Sequence, residues 1–279
     1  MIWSIKKTKK GIANLVRLSS SFVGLQVVRA HPLFSYSAQL LDIPIDCCCT
    51  GYGFSFKPGV GNPFVDFPLE QLNADFVDTS FYRFCHAYNP LNARDVFFPG
   101  SLSHPRLKDV RIDPDFSKFR VPEFPLFWSR PYQIRRYMVK QSNFSESIDN
   151  THILSKAEQH FHRSSVVFRS IKQEGFQIPT EGPSLSQAFI CGVLLKRGPD
   201  LRFVVTSGQH RVGALVALGW TDIPVLLDNH FAPTVDRKFA AHWPIVTENL
   251  YTLEAALACF DRFFDDDGSA IAKAYGLAG

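Results

Sequence analysis

The sequence predicts an α+β protein whose first half is rich in aromatic residues and loops. Apolar strand-like segments alternate with helical segments after about residue 150, whereas proline and phenylalanine are enriched between residues 31 and 128, together with glycine- and asparagine-containing turn signals. Hydrophobic residues make up 46% of the chain and charged residues 20%, a composition typical of globular proteins that argues against disorder. We therefore expect a substantial core formed by two unlike halves.

Residues 1–30 form a basic segment with some predicted helical character. Its longest uncharged run, Leu18–Val28, is short and contains serines and a glutamine, so it does not predict a membrane span. A signal peptide is not expected either, because no small-residue cleavage site follows an apolar core. A basic segment can contact an anionic membrane surface, and a solvated terminus is the alternative.

Residues 31–128 form an aromatic, loop-rich region that we expect to pack on the core. The whole chain has 26 phenylalanines against 2 methionines, which predicts a core filled by rings; a flat aromatic surface for a sugar or a partner is the alternative. Phe64–Phe67 and Asp95–Phe98 resemble short strands between turn signals, and a helix is predicted over Leu69–Tyr88. A polar, proline-bearing connection predicts a boundary near residues 120–130.

The first long helix is predicted over Leu154–Phe176. Ser155 would cap it, with Glu158 three residues later as in a capping box. Gly175 stands where a helix C-terminal glycine belongs. The predicted buried face consists of Phe161, Val166, Phe168 and Ile171.

The next predicted elements are a hairpin, a tight turn, a helix and a strand. Two apolar strands are joined by Gly198-Pro199-Asp200, which is a hairpin signal. A helix over Gln209–Leu218 follows and stops at Gly219, and a strand is predicted over Ile223–Leu227.

Residues 231–279 predict C-terminal helices. Thr252 is the expected N-cap of the last one, and Asp265–Asp267 are expected to form a solvated acidic run. Its core candidates are Ala255, Leu257, Cys259 and Phe260.

The turn Ser207-Gly208-Gln209-His210-Arg211 carries the clearest chemistry in the chain. A helix N-terminus offers unpaired N–H groups and a positive dipole end, which suit an anion. Gly208 permits a positive φ and close backbone approach, and Arg211 adds a fork-shaped donor for phosphate oxygens. His210 can donate a hydrogen bond or carry a proton. The alternative is that Ser207 caps the helix and Arg211 is solvated.

This part of the chain resembles the ParB/sulfiredoxin superfamily. The resemblance is carried by the long helix, the hairpin, the SGQHR turn and the GWTDIPV segment at residues 219–225. The resemblance covers residues 150–230, and its specific part is Ser207 to Val225. It implies a mixed sheet with flanking helices and a nucleotide-binding domain that binds ATP (or CTP) with Mg²⁺. By this resemblance, the phosphates would contact Ser207, Gly208, Gln209, His210 and Arg211.

Two departures from the family bear on catalysis. Sulfiredoxin has a cysteine where this chain has Gln209, so sulfinic-acid reduction is disfavoured. The related serine kinases open the turn with aspartate where this chain has Ser207, so another acid must serve as base or metal ligand. Glu158 is the first candidate, with a capping-box role as its alternative; Glu174 and Glu181 are weaker candidates.

No dedicated metal site is predicted. His160 and His162 should point to different sides of their helix, and we expect surface or partly buried histidines. Three of the six cysteines are consecutive, without a CxxC pair, which predicts reduced thiols in a cytoplasm.

The first functional hypothesis is an ATP-dependent phosphotransferase acting on a small hydroxyl or sugar-like acceptor, with His210 and Glu158 as catalytic residues. The second is a non-enzymatic, nucleotide-gated module of the ParB kind that recruits a partner or DNA. The third is a degenerate member with a structural role. A net charge of +4 is weak for DNA binding, so DNA is not the expected partner.

Overall fold

A computed structural model describes the chain in nine stretches. They are residues 26–30, 39–65, 75–88, 90–98, 105–112, 125–140, 150–177, 189–228 and 230–276. The basic segment before residue 26 and the predicted boundary at 120–124 lie outside the described residues.

One mixed sheet of seven strands forms the centre of the fold, in the order β1-β2-β6-β4-β5-β3, with β7 beside β4. Pairs β1–β2, β2–β6 and β4–β5 are antiparallel, and β3–β5, β4–β6 and β4–β7 are parallel. The strands are β1 Gln26–Ala30, β2 Gln39–Pro44, β3 Cys48–Thr50, β4 Cys191–Arg197, β5 Asp200–Ser207, β6 Asp222–Leu227 and β7 Thr234–Asp236. The prediction of an α+β fold with a mixed sheet is confirmed.

Helices flank this sheet and connect its strands. The α-helices are α1 Ser80–Ala87, α2 Ala93–Phe97, α3 Pro131–Lys140, α4 Asn150–Glu174, α5 Gln209–Ala217, α6 Pro244–Thr247, α7 Leu253–Asp265 and α8 Ser269–Ala274. Short 3-10 helices cover Ile45–Cys47, Phe76–Asp78, Pro105–Asp109 and Arg237–His242.

The predictions hold best between residues 190 and 227. Strands β4 and β5 form the expected hairpin around Gly198, whose φ is +60°. Helix α5 begins at Gln209, and Gly219 follows its end at a φ of +81°. Local turn chemistry specifies these boundaries, because a positive φ strongly favours glycine at each stop.

Helix α4 is longer than predicted, and its start is corrected. It begins at Asn150, so Ser155 lies inside the helix and forms no capping box with Glu158. Gly175 ends it at a φ of +77°, as expected. Val166 is 63% exposed, so it does not belong to the buried face, while Phe161, Phe168 and Ile171 are buried.

The N-terminal half departs most from the predictions. The segments predicted as strands are helical in their described parts: Phe64 and Val65 belong to a helical turn, and Asp95 to Phe97 belong to α2. Asn92 caps α2 by accepting the Asp95 N–H at 3.2 Å, a local bond that favours helix over strand. Of the helix predicted over Leu69–Tyr88, residues 69–74 lie outside the described residues; the described part has a 3-10 turn at Phe76–Asp78 and then α1, which Thr79 caps.

The same half contributes strands to the central sheet. Strands β1, β2 and β3 precede residue 51, and β1 replaces the helical character expected at residues 26–30. Strand β2 pairs with β6, and β3 pairs with β5, across more than half of the chain. The region 31–128 therefore completes the sheet as well as packing on it.

Residues 231–276 are mainly helical, as predicted, but Thr234–Asp236 form strand β7, and α8 follows α7, which is therefore not the last helix. Thr252 caps α7 by accepting the Ala255 N–H at 3.2 Å; Ala255, Cys259 and Phe260 are buried, and Leu257 is partly buried. The acidic run is exposed at Asp265 and Asp267, as expected, and each of its three members also has a hydrogen-bonding or ion-pair partner. Asp265 accepts from Arg197 at 2.7 Å, Asp266 pairs with Arg262, and Asp267 accepts the Ser269 N–H at 3.0 Å.

Aromatic side chains fill the core, as the composition predicts. Fully buried rings include Phe54, Phe56, Phe81, Phe97, Phe127 and Trp128. Edge-to-face pairs such as Phe127 with Trp128, whose ring centroids are 4.8 Å apart, contribute beyond their buried area. These rings are therefore not available to form a flat surface for a sugar.

Candidate functional site

The candidate site lies where β5 ends and α5 begins. Ser207 is the last residue of β5, and Gly208 is the N-cap of α5 with a φ of +90°. A Cβ on Gly208 would lie 3.0 Å from the Cα of Ile190, so both conformation and space require glycine. No side chain caps the helix. The N-cap is thus Gly208 and not Ser207, and it has no side chain to accept a first-turn N–H; the Arg211 N–H donates to the Gly208 carbonyl at 2.9 Å.

Positive charge is concentrated at this helix start. Arg211, in the first turn of α5, is half-buried, and its pKa is lowered by burial and then by the nearby charge of Arg163. Arg163 is exposed on α4, the helix that packs against α5. The positive charge of Arg163 lowers the pKa of Arg211, which means that the two guanidinium groups repel each other. An anion bound between them would offset this repulsion.

Gln209 adds a buried donor to the same turn. Its residue is only 4% exposed, and its Nε2 has no hydrogen-bond acceptor among the described residues. An unpaired buried amide costs roughly 1–3 kcal/mol, so such a group is retained where a partner can complete it. A ligand oxygen at the turn is one such partner.

His210 is held in place by contacts from α4. Its Nδ1 contacts the Oγ of buried Ser164, and its Nε2 lies 3.0 Å from Nδ1 of His160. The two imidazoles stack with centroids 5.2 Å apart, and the Phe64 ring meets His210 edge-on at 5.1 Å. Both ring nitrogens are thus engaged within the protein, and the residue connects α5 to α4.

Burial sets the protonation state of His210. Its pKa is lowered from 6.5 to about 3, first by desolvation and then by the charges of His160, Arg163 and Arg211. The imidazole is therefore neutral near pH 7 and serves as a hydrogen-bonding group there.

We expect this histidine to make the fold acid-sensitive. The unfolded chain protonates His210 near pH 6.5 and the folded chain only near pH 3, so stability is full above about pH 6.5 and decreases as the pH falls toward 3. The slope from one such group is at most about 1.4 kcal/mol per pH unit. Urea unfolding between roughly pH 7 and pH 4.5 should show a weaker pH dependence in His210→Gln than in the wild type. The exposed His162→Gln is the control, and equal slopes for wild type and His210→Gln would contradict the assignment.

A buried carboxylate that the sequence did not single out lies beside the turn. Asp228 follows β6 and is 8% exposed; its Oδ2 accepts the Thr206 hydroxyl at 2.6 Å, and its Oδ1 accepts the His230 N–H at 2.9 Å. Cys191 lies between β5 and β6 and pairs with Ser207 in register. The one signal in the sequence that could have indicated this residue is its position as an acid directly after the predicted strand Ile223–Leu227.

The predicted acids lie elsewhere. Glu158 is on α4, its side chain is 57% exposed, and one of its carboxylate oxygens lies 3.9 Å from Nε2 of His162. His160 and His162 do point to different sides, as expected, and Glu158 shares the His162 side. Glu174 is exposed at the end of α4, and Glu181 lies outside the described residues. The structure therefore brings His160, Ser164 and Asp228 to the turn and does not bring Glu158 there.

Comparison of the chain with protein-family models, with curated proteins and with solved structures gave no match. The superfamily resemblance of residues 150–230 stays a prediction carried by the turn. None of the helices in the described stretches has the length and apolar character needed to cross a membrane. Residues 1–25 of the basic segment, for which contact with a membrane surface is one hypothesis, lie outside the described residues.

Proposed function

We propose that this protein binds a nucleotide at the β5–α5 turn and transfers a phosphoryl group from ATP to a small hydroxyl compound. The observation that carries the proposal is the uncapped start of α5 at Gly208, with the half-buried Arg211 in its first turn and Arg163 nearby. Helix N-termini with a close-approach glycine and an arginine fork are a common arrangement for phosphate recognition.

Each residue of the turn has a distinct role in this proposal. Gly208 brings the backbone close, and the N–H groups of Gln209 and His210 point toward phosphate oxygens, as in other helix N-terminal anion sites. Arg211 neutralises charge on the phosphates, and the Gln209 amide supplies a further donor. Ser207 would add a hydroxyl at the end of β5.

The neutral, doubly engaged His210 fits a positioning role. Its contacts to Ser164 and His160 set the distance between α4 and α5, and therefore the separation of Arg163 and Arg211. A direct catalytic role would require one of these contacts to be exchanged for a ligand. The sequence suggests that His210 contacts the substrate; we propose instead that His210 orients Arg211, the next residue of α5.

The reaction would be a displacement at the γ-phosphorus. The acceptor oxygen forms a bond to phosphorus, the bond to the β–γ bridging oxygen breaks, ADP leaves, and the hydroxyl proton passes to a carboxylate or to water. Mg²⁺ would neutralise the phosphate charge when bound. Glu158, the acid that the sequence suggests as base, is exposed on α4 and would have to be reached by the acceptor; water is the alternative proton acceptor.

The acceptor class follows from what surrounds the turn. The described rings between residues 39 and 128 are buried or partly buried, which favours a small hydroxyl compound over a stacked sugar. All six cysteines are free thiols, which supports the proposed cytoplasmic location, where thiols stay reduced.

Titration calorimetry of the full chain with ATP, CTP and GTP in the presence of Mg²⁺ tests the proposal. We expect ATP binding, and ADP release that depends on an added panel of small hydroxyl compounds. Preferential CTP binding that drives dimerisation without an acceptor would replace it with the nucleotide-gated module. Absence of binding by all three would leave the turn as a structural element and overturn the proposal.

A further inference from the structure

We propose that Asp228 and Thr206 form a divalent-cation site that completes the nucleotide site at the β5–α5 turn. This inference rests on the proposed nucleotide binding and assigns the residues that hold its metal. The cation is of the Mg²⁺ class, which prefers oxygen ligands and is often bound by one or two carboxylates together with substrate phosphates.

The first argument is the burial of an acid without a cationic partner. Asp228 is 8% exposed, and no lysine, arginine or histidine forms an ion pair with it among the described residues. A buried carboxylate without a counter-charge costs several kcal/mol unless hydrogen bonds or a cation compensate it. Its two hydrogen bonds compensate it in part, and a bound cation would supply the missing charge.

The second argument is that the carboxylate is oriented but not saturated. The Thr206 hydroxyl occupies one position on Oδ2, and the His230 N–H occupies one on Oδ1. An ionised carboxylate offers about four acceptor positions, so each oxygen retains one for a metal ion. Such supporting hydrogen bonds are typical of ligating carboxylates.

The third argument is the position of Asp228 relative to the arginine. The carboxylate and the guanidinium of Arg211 both act on the Cys191 thiol, whose pKa is raised to about 12 by burial and then by Asp228, and is lowered in part by Arg211. Both charges therefore lie near Cys191, which pairs with Ser207, and the Thr206 hydroxyl that contacts Asp228 also lies 3.2 Å from the Cys191 carbonyl oxygen. A phosphate at the turn would lie near both Arg211 and the Asp228 carboxylate, and only a bound cation makes its contact with the carboxylate attractive.

The phosphates must supply the remaining ligands. No cluster of three histidine, cysteine, aspartate or glutamate side chains suitable for a metal occurs in the described ranges. A site with one carboxylate and one hydroxyl is too small to hold Mg²⁺ alone. We therefore expect strong coupling, in which the cation and the nucleotide each raise the affinity for the other by the same factor.

A purely structural role for Asp228 is the competing explanation. Its Oδ1 contact with the N–H two residues later resembles an Asx turn, which would only shape the loop after β6. Asparagine preserves that acceptor, so Asp228→Asn keeps the turn and removes the charge. A structural role therefore predicts no change in metal dependence.

The experiment measures ATP affinity by calorimetry in Mg²⁺ and in EDTA. For the wild type we expect Mg²⁺ to raise ATP affinity by about tenfold or more. Asp228→Asn should bind ATP in EDTA at least as well as the wild type and lose most of the Mg²⁺ gain. Asp222→Asn is the matched control, because Asp222 begins the same strand at its other end and is exposed; it should behave as the wild type.

The outcomes separate this inference from the proposed function. A wild type that binds no ATP in either condition overturns both. ATP binding with a full Mg²⁺ gain in Asp228→Asn, or with no gain in the wild type, overturns the cation site alone. If Asp228→Asn does not fold, Thr206→Val, which removes the hydroxyl of the site and its hydrogen bond to Asp228, should reduce the gain; an unchanged gain in that variant would equally overturn the site.

Discussion

Arg211→Ala should abolish measurable ATP binding. Removing one partner of a partly buried charge-assisted contact costs about 2–5 kcal/mol, which corresponds to roughly a thirtyfold to several-thousandfold loss of affinity. Arg211 is half-buried in the first turn of α5, and burial lowers its pKa, so its interaction with a phosphate is only weakly screened by water. Calorimetry on the folded variant measures the loss directly.

Two further variants make this result specific. Arg211→Lys keeps the charge but lacks the bidentate fork, so we expect an affinity between those of wild type and Arg211→Ala. Arg135→Ala removes a cation that is 66% exposed on α3 and should leave ATP binding unchanged. Wild-type affinity in Arg211→Ala would show that the turn does not hold the phosphates.

Gly213→Ala should strongly destabilise the fold. In an ordinary helix this substitution stabilises by up to about 1 kcal/mol, because alanine has the higher helix propensity. At Gly213 of α5, however, an added Cβ would lie 1.9 Å from the carbonyl oxygen of Phe64, which belongs to the backbone and cannot rotate away. Overpacking of this kind typically costs about 1–3 kcal/mol and more when backbone must move, so the steric effect outweighs propensity.

Urea unfolding distinguishes this clash from a general intolerance to substitution. Gly219→Ala is the control, because its Cβ meets nothing within 4 Å and its cost is limited to the positive φ of +81°. That cost is about 1–2 kcal/mol. We expect Gly213→Ala to lose more stability than Gly219→Ala, and to lose ATP affinity because Phe64 also contacts His210. A Gly213→Ala protein as stable as the wild type would contradict the close helix packing.

The sequence predicted the site's backbone better than its side-chain partners. Gly208, the start of α5 and the position of Arg211 follow from the turn itself, since a positive φ and a helix start depend on a few adjacent residues. Asp228 was missed because an acid after a strand has no distinctive local pattern. Only the adjacency of β6 and β4 brings it near Thr206.

Glu158 shows the opposite error. A capping box requires only a serine followed three residues later by glutamate, and the sequence contains that pattern at Ser155. The helix instead begins at Asn150, and Leu154 and Ala157, on either side of Ser155, pack against the core, so the helix runs through the local signal. Tertiary packing of this kind routinely overrides a cap that is worth about 1 kcal/mol.

The sequence by itself determined the elements whose boundaries depend on neighbours within about four residues. These are the hairpin at Gly198, the turn at Gly208, the end of α5 at Gly219 and the cap of α7 at Thr252. Only the tertiary structure decided the rest: that β1 to β3 join the sheet, and that Ser164, His160 and Asp228 meet the turn. The contacts of His210 with α4 join residues 46 and 50 positions apart, and their formation depends on packing energy that no local window of sequence contains.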